Sequence, residues 1–423
     1  MPARLLPAAL CLVITACGLT DRAARTAGFE VRDSAGIEIV SNAQPEHALA
    51  VQEVLRIGVV DGDPDYQFQR IRDMAVDSAG GIWVVDRAES VRRYGPDGRL
   101  TTRVGARGSG PGEAPQGWGS VLLGPGELSL HALGGGIQRF LADGTFLNSY
   151  PSRTDHGYMS AFGRSGDRWV MRRRVYPDTG TVFRLQEVFL LGPSPAGPFD
   201  TLAALPGELS YTVSLGAERG VGRGSYFVGN PTFAVDGRGS LFVSDSTDYR
   251  IERYGPDGTL ERVLTRAAEP VSYDPGWIDA MPAAYEAYVV HDGRTMSRAT
   301  AEQVDRMLEV TRAAPVPAHL PFIHQIMAGP GGTVWAQRAD RHPDPAAAAT
   351  AHFVGVIPAV WPPEWRAPHV FDLFDPAGEY QGTVALPAAF TPMAVAGTAI
   401  YGVMRDDLDV EYVTVFEVTS EAG

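Results

Sequence analysis

Residues 74–86 read MAVDSAGGIWVVD, and residues 233–245 read FAVDGRGSLFVSD. Each stretch leads into the same five residues, Tyr-Gly-Pro-Asp-Gly, at 94–98 and again at 254–258. Two close copies of one pattern in one chain mark a repeat architecture. The unit spells four short strands. The first is apolar and ends at Val-Asp. A glycine-containing turn leads to a second, of the form x-aliphatic-aromatic-Val. The third alternates and runs into the Tyr-Gly-Pro-Asp-Gly turn, with Pro at the corner and Gly where a positive φ is wanted. The fourth covers Leu100 to Val104 in one copy and Leu260 to Leu264 in the other.

Weaker copies fill the rest of the chain. The second strand recurs as Leu128-Ser129-Leu130, Arg168-Trp169-Val170, Val334-Trp335-Ala336 and Ile400-Tyr401-Gly402. With Ile82-Trp83-Val84 and Leu241-Phe242-Val243 that makes six, and only Ser129 breaks the central aromatic. Six four-stranded sheets at this spacing predict an all-β chain, a six-bladed β-propeller. A large ring once per sheet is what packing between blades needs, so these aromatics are expected to be core. The last blade, 391–418, spells only three strands. An early strand at 36–41 is expected to complete it and remove a free edge. Val54 to Gly58 would then lead into blade one.

Composition agrees. The 423 residues include 48 Gly and 32 Pro, yet apolar residues make up 44% and charged residues 20%. Many tight turns at ordinary apolar content point to all-β structure and exclude a disordered chain. The net charge of −14 argues against a nucleic-acid partner. The only cysteines are Cys11 and Cys17, so the body can hold no disulfide and no thiolate chemistry.

Residues 1–16, MPARLLPAALCLVITA, read as a signal peptide: Arg4 supplies the positive charge and an apolar run follows. Ile14-Thr15-Ala16-Cys17 resembles the lipobox of bacterial lipoproteins, which implies lipidation at Cys17. Residues 17–28 would then be lipidated Cys and tether, and 29–423 the propeller, held outside the cytoplasm at a membrane surface in the cell envelope.

Two segments break the repeat. Thr300-x-x-Gln303 looks like a capping box, and Val304, Met307, Leu308 and Thr311 share one helical face. A helical insert is therefore expected at about 275–315. A loop insert is expected at about 339–367, containing Trp361-Pro-Pro-Glu-Trp365.

Ile57-Gly58, Asp61-Gly62 and Tyr66-Gln67-Phe68 precede blade one, which carries Trp83-Val84-Val85-Asp86, and Gly105-Ala-Arg-Gly-Ser-Gly-Pro-Gly-Glu113 follows it. In these segments the chain resembles NHL-type six-bladed propellers and, over about 29–418, bacterial lipoproteins of six-bladed propeller type. The resemblance implies a fold and leaves function open, since propellers host binding modules and enzymes alike.

In a propeller the first strand of each blade lines the central channel. Alignment puts Arg72 and Asp73, Trp118 and Ser120, Tyr158 and Ser160, Asn230 and Thr232, His324 and Gln325, and Thr391 at the starts of these strands. Mixed polar and aromatic groups there suit a small polar ligand or a peptide end. The reading is a binding scaffold for a peptide, glycan or partner protein, with no cofactor. The alternative is a lactonase- or lyase-like enzyme whose Asp73, Asn230 and His324 would share a Ca or Zn ion. The nine His are scattered without ligand spacing, and neither HExxH, CxxC nor a P-loop occurs. Asp86 and Asp245, equivalent in the repeat, are expected to hold turn backbone. Arg107-Gly-Ser-Gly-Pro-Gly reads as a blade connection, and Arg172-Arg173-Arg174 as a solvated cluster.

Overall fold

The computed structural model describes residues 28–419, apart from 88–89, 134, 152, 155–156, 159, 177–181, 216–217, 223–230, 275, 278, 280–289, 292–293, 296–317 and 340–368. The expected signal peptide and Cys17, the capping box and its helix, and nearly all of the loop insert lie outside the described residues.

Three strands come first: β1 (Phe29–Ser34), β2 (Ile37–Asn42) and β3 (Ala48–Ile57). A first antiparallel meander follows, β4 (Asp73–Val76), β5 (Ile82–Val85), β6 (Val91–Tyr94) and β7 (Leu100–Val104). The second is β8 (Trp118–Gly124), β9 (Glu127–Ala132), β10 (Ile137–Leu141) and β11 (Phe146–Tyr150). After a hairpin of β12 (Arg153–Thr154) and β13 (Gly157–Tyr158) comes a third sheet. It comprises β14 (Ser160–Ser165), β15 (Arg168–Val175), β16 (Val182–Gly192), β17 (Asp200–Leu215) and β18 (Glu218–Gly222). The fourth meander is β19 (Thr232–Val235), β20 (Leu241–Ser244), β21 (Arg250–Tyr254) and β22 (Leu260–Arg266). A hairpin of β23 (Val290–His291) and β24 (Arg294–Thr295) precedes β25 (Ile323–Ala328), β26 (Val334–Arg338), β27 (His369–Phe374) and β28 (Tyr380–Leu386). The chain ends in β29 (Phe390–Ala396), β30 (Ala399–Arg405) and β31 (Glu411–Thr419).

The result is an all-β, propeller-like arrangement of small sheets. The first strands of the meanders, β4, β8, β14, β19, β25 and β29, touch in that order, and β29 returns to β4. One apolar cluster lies between each consecutive pair. Trp83 of the first meander packs with Trp118 and Phe140 of the second, and Phe242 of the fourth with Phe374 and Tyr380 beyond it. Trp335 meets Phe390 and Phe416. Each such ring takes roughly 150–250 Å² out of water. Trp169 faces the other way, toward Ile137 of the second meander, whose own repeat position is the small Ser129.

The repeated turns form as their residues require. Gly98 and Gly258 stand at φ +77° and +88°, and each donates its N–H three residues back, to Gly95 and Gly255 at 2.9 Å. The Asp97 and Asp257 carboxylates accept from the backbone two residues on, at 3.1 and 2.9 Å.

The closing strand is not 36–41. That segment is β2, which pairs in parallel with β22 at the outer edge of the fourth sheet. The last meander is completed instead by β3, antiparallel to β31 from Ala50↔Thr419 to Ile57↔Val413. The assigned lead into blade one, Val54 to Gly58, is thus largely the end of this closing strand. β3 also meets β28 in parallel, so β25–β28 and β29–β31 join it in one eight-stranded sheet. Length and pattern decide this. β3 places Leu49 and Val51 on one cluster and Leu55 and Ile57 on another, while its edges are both paired. β2 is anchored by Asn42, whose amide donates to Thr265 O at 3.2 Å and Gly378 O at 3.0 Å and accepts from Tyr380 N at 2.8 Å.

Candidate functional site

A cavity of about 390 Å³ opens between the first two sheets, lined by Arg70, Arg72, Asp86, Arg87, Arg107, Pro115, Gln116, Gly117 and Trp118. It sits at the start of the inner strands β4 and β8, where a channel mouth is expected.

Its first wall is set by a buried ion pair. Asp86 follows β5 and accepts from Arg92 of β6 at 2.6 Å, with both side chains nearly sealed from solvent. The Arg92 guanidinium also donates to the carbonyls of Pro64, Asp65 and Gln67 at 3.0, 2.8 and 3.3 Å. Tyr94 Oη donates to Asp65 O at 2.5 Å. The segment that carries Arg70 and Arg72 is thereby pinned, and Arg72 N donates to Val85 O at 2.7 Å.

The second wall is the link after β7. Ala106 N donates to Gly112 O at 3.1 Å, and Ala114 N returns to Ala106 O at 2.9 Å. The Glu113 carboxylate accepts from Gly110 N at 2.8 Å, and its carbonyl takes the Gln138 amide at 2.6 Å. Gly105 is required here. Its φ is +72°, and a Cβ would fall 2.6 Å from the Trp118 ring. Trp118 is buried edge-on against Phe140, with ring centroids 6.0 Å apart.

None of the guanidinium groups of Arg70, Arg72, Arg87 and Arg107 has an acceptor among the described residues. The lining carboxylate, Asp86, is already neutralised by Arg92. The cavity is therefore strongly cationic in a chain of net charge −14.

Of the candidates at the strand starts, Arg72 and Trp118 line this cavity together. Asp73 does not. Its carboxylate accepts from Met74 N at 2.9 Å and from Val121 N of β8 at 2.8 Å. It is half-buried, and desolvation pushes the carboxyl up to about 6. Thr232 repeats the arrangement, its Oγ1 accepting from Ile326 N of β25 at 3.0 Å. Thr232, and not Asn230, is the counterpart of Asp73. Asn230 lies outside the described residues.

His324 is not at the level of Asp73 either. β25 shifts register between Ile323 and Gln325, so Gln325 pairs with Gln337 as Asp73 pairs with Val85, and His324 falls in the bulge. Tyr158 belongs to β13 and pairs with Arg153 in the hairpin, one element before the inner strand β14. The set Asp73, Asn230 and His324 is therefore not one ring of equivalent positions.

One further expectation needs correction. Glu187, itself buried, takes Arg174 at 2.8 Å and Arg172 at 3.8 Å, so the 172–174 cluster is paired in part and not simply solvated. Asp245 does hold turn backbone, accepting from Thr247 N at 3.0 Å. Asp86 forms an ion pair with Arg92. The repeat places Glu252 where Arg92 stands, which removes the partner. Nothing in one copy read alone distinguishes these two aspartates.

The fold and site define an all-β, propeller-like protein with an arginine-lined cavity at one end of its inner strands. The sequence matches no protein-family model and no curated protein. Among solved structures, the chain is similar to a protein of Bacteroides fragilis NCTC 9343 provisionally described as exported. That match has 10% identity and a TM-score of 0.46, and covers 88% of this chain and 96% of that one. A member of the duf4221 family from Bacteroides vulgatus matches at 10% identity and a TM-score of 0.47, covering 88% and 99%. A streptogramin B lyase matches at 10% identity and a TM-score of 0.39, covering 88% and 98%.

Proposed function

We propose that this chain is a lipid-anchored, extracytoplasmic six-bladed β-propeller, tethered through Cys17, that binds a peptide, glycan or partner protein at the cavity between its first two blades. The blade count reads the eight-stranded sheet as two blades joined through β3, in keeping with the ring of inner strands. The observation that carries the binding reading is the cavity itself. It is large enough for a small ligand or a peptide end, lies at the starts of β4 and β8, and is walled by two segments fixed in hydrogen bonds. The enzymatic alternative is weaker. Asp73 already joins two sheets, and the register separates His324 from its level.

Two experiments test this. A fatty-acid probe fed to cells should label the native protein and not Cys17→Ala; equal labelling would remove the anchor. A photo-crosslinking amino acid at Gln116 should capture a discrete ligand or partner in the envelope, while the same group at Asp257, on a distant outer turn, should not. Equal capture at both positions would remove the cavity as the binding site.

A further inference from the structure

The geometry points to an oxyanion as the ligand group: we propose that Arg70, Arg72, Arg87 and Arg107 form a subsite for a multiply charged carboxylate or phosphate ligand. This rests on reading the cavity as the binding site and names the chemistry that would fill it.

Arginines gathered in one place usually share carboxylates, and this chain follows that habit elsewhere. Arg139 and Arg164 meet Glu127, Arg172 and Arg174 meet Glu187, and Arg266 and Arg338 meet Asp372. The four cavity arginines break it, since none has an acceptor among the described residues. Charges lining a cavity of about 390 Å³ lie within about one Debye length (~8–10 Å) of its centre. All four side chains are exposed to solvent at the cavity, and an entering anion would offset the repulsion that remains between them. Guanidinium forks suit such an anion, because each offers paired N–H donors that match two oxygens of a carboxylate or phosphate.

The repeat supplies an internal comparison. A smaller cavity of about 150 Å³ touches the counterparts of Arg72 and Asp86 in the fourth sheet, on the side that faces the third sheet, lined by Leu205, Pro206, Pro231, Asp245, Arg250 and Glu252 among others. There Pro231 stands for Arg72, Asp245 lines the wall, and Arg250 is paired with Glu252 at 2.8 Å. The repeat therefore does not call for an arginine at the Arg72 position, and the one arginine of the smaller cavity is paired. Arg107 adds a second argument. It comes from the glycine-rich link between the sheets, whose backbone hydrogen bonds close without its side chain.

The test is calorimetric titration of the full chain in mild detergent at low salt. The probes are inorganic phosphate, citrate and neutral N-acetylglucosamine. The expected result is saturable one-to-one binding of phosphate or citrate that weakens with added salt, and which of the two binds more tightly identifies the oxyanion. Arg72→Gln with Arg107→Gln should weaken it by about tenfold or more, as loss of charge-assisted hydrogen bonds implies. Arg99→Gln, on an exposed turn, should leave it unchanged. The melting temperature of each variant serves as the folding control, since the guanidinium groups of these arginines have no acceptor among the described residues. Absence of saturable binding by both anions overturns the proposal, and so does binding that the double variant retains. Capture at Gln116 with no anion binding would leave the cavity as the binding site and reject the oxyanion alone.

Discussion

Asp73 Oδ2 accepts a hydrogen bond from Val121 N at 2.8 Å, joining the inner strands of the first and second sheets. Thr232 does the same toward Ile326 at 3.0 Å, so a side chain at this level is part of how the ring is tied together. In Asp73 the tie is a half-buried carboxylate, and its position fixes the first prediction.

Burial pushes the Asp73 carboxyl up to about 6, above its ordinary 3.8. The folded state therefore holds the proton more tightly than the unfolded chain does. This contribution is fully present below about pH 4, is lost as pH rises to about 6, and is level above that. Asp73→Asn removes the titration and adds a constant offset. Between pH 4 and pH 7 the variant should gain about 1–2 kcal/mol on the native protein, a two-unit shift reduced by the water that reaches the channel. Urea unfolding at both pH values measures it; a constant difference would contradict the assignment.

Asp86→Ala leaves Arg92 charged, buried and without its counter-ion. A loss of about 3–5 kcal/mol is expected. The double variant Asp86→Ala with Arg92→Leu should recover a substantial part, because the stranded charge is gone. Chemical unfolding of the three proteins checks this, and additive losses would contradict it.

Gly105→Ala must place a methyl 2.6 Å from the Trp118 ring at φ +72°. Both the contact and the backbone are strained, so a loss of about 2–4 kcal/mol is expected. Gly126→Ala supplies the comparison: its φ is +69°, but its Cβ would meet nothing within 4 Å. It should lose clearly less, and equal losses by thermal melting would remove the role of Trp118.

Asn42→Leu should cost about 2–4 kcal/mol, since it abandons one buried and one half-buried carbonyl and the buried Tyr380 N–H. The loss should be accompanied by faster hydrogen exchange at Tyr380, and unchanged exchange there would show that the N-terminal arm does not hold this edge.

Much of the fold was legible because the repeat is written in local chemistry. Trp83, Phe242 and Trp335 are buried where the pattern put them, and the Tyr-Gly-Pro-Asp-Gly turns close as their residues demand. Which early strand completes the last sheet was not legible. Residues 36–41 and 48–57 both alternate, and the choice depends on β31 and β28, more than 300 residues away. The site was half legible. Among the residues that line the cavity, Arg72 and Trp118 stand at strand starts that the repeat aligns, but Arg70, Arg87 and Arg107 lie in connections between strands. His324 was misplaced by a β-bulge, which changes register without marking the sequence.

The central claim is that the cavity between the first two sheets is the ligand site. A crystal structure of the full chain with citrate or phosphate tests it most directly. The account predicts an oxyanion in that cavity, within hydrogen-bond reach of at least two of Arg70, Arg72, Arg87 and Arg107. An empty cavity at a saturating concentration, or the ligand seated elsewhere, would contradict it.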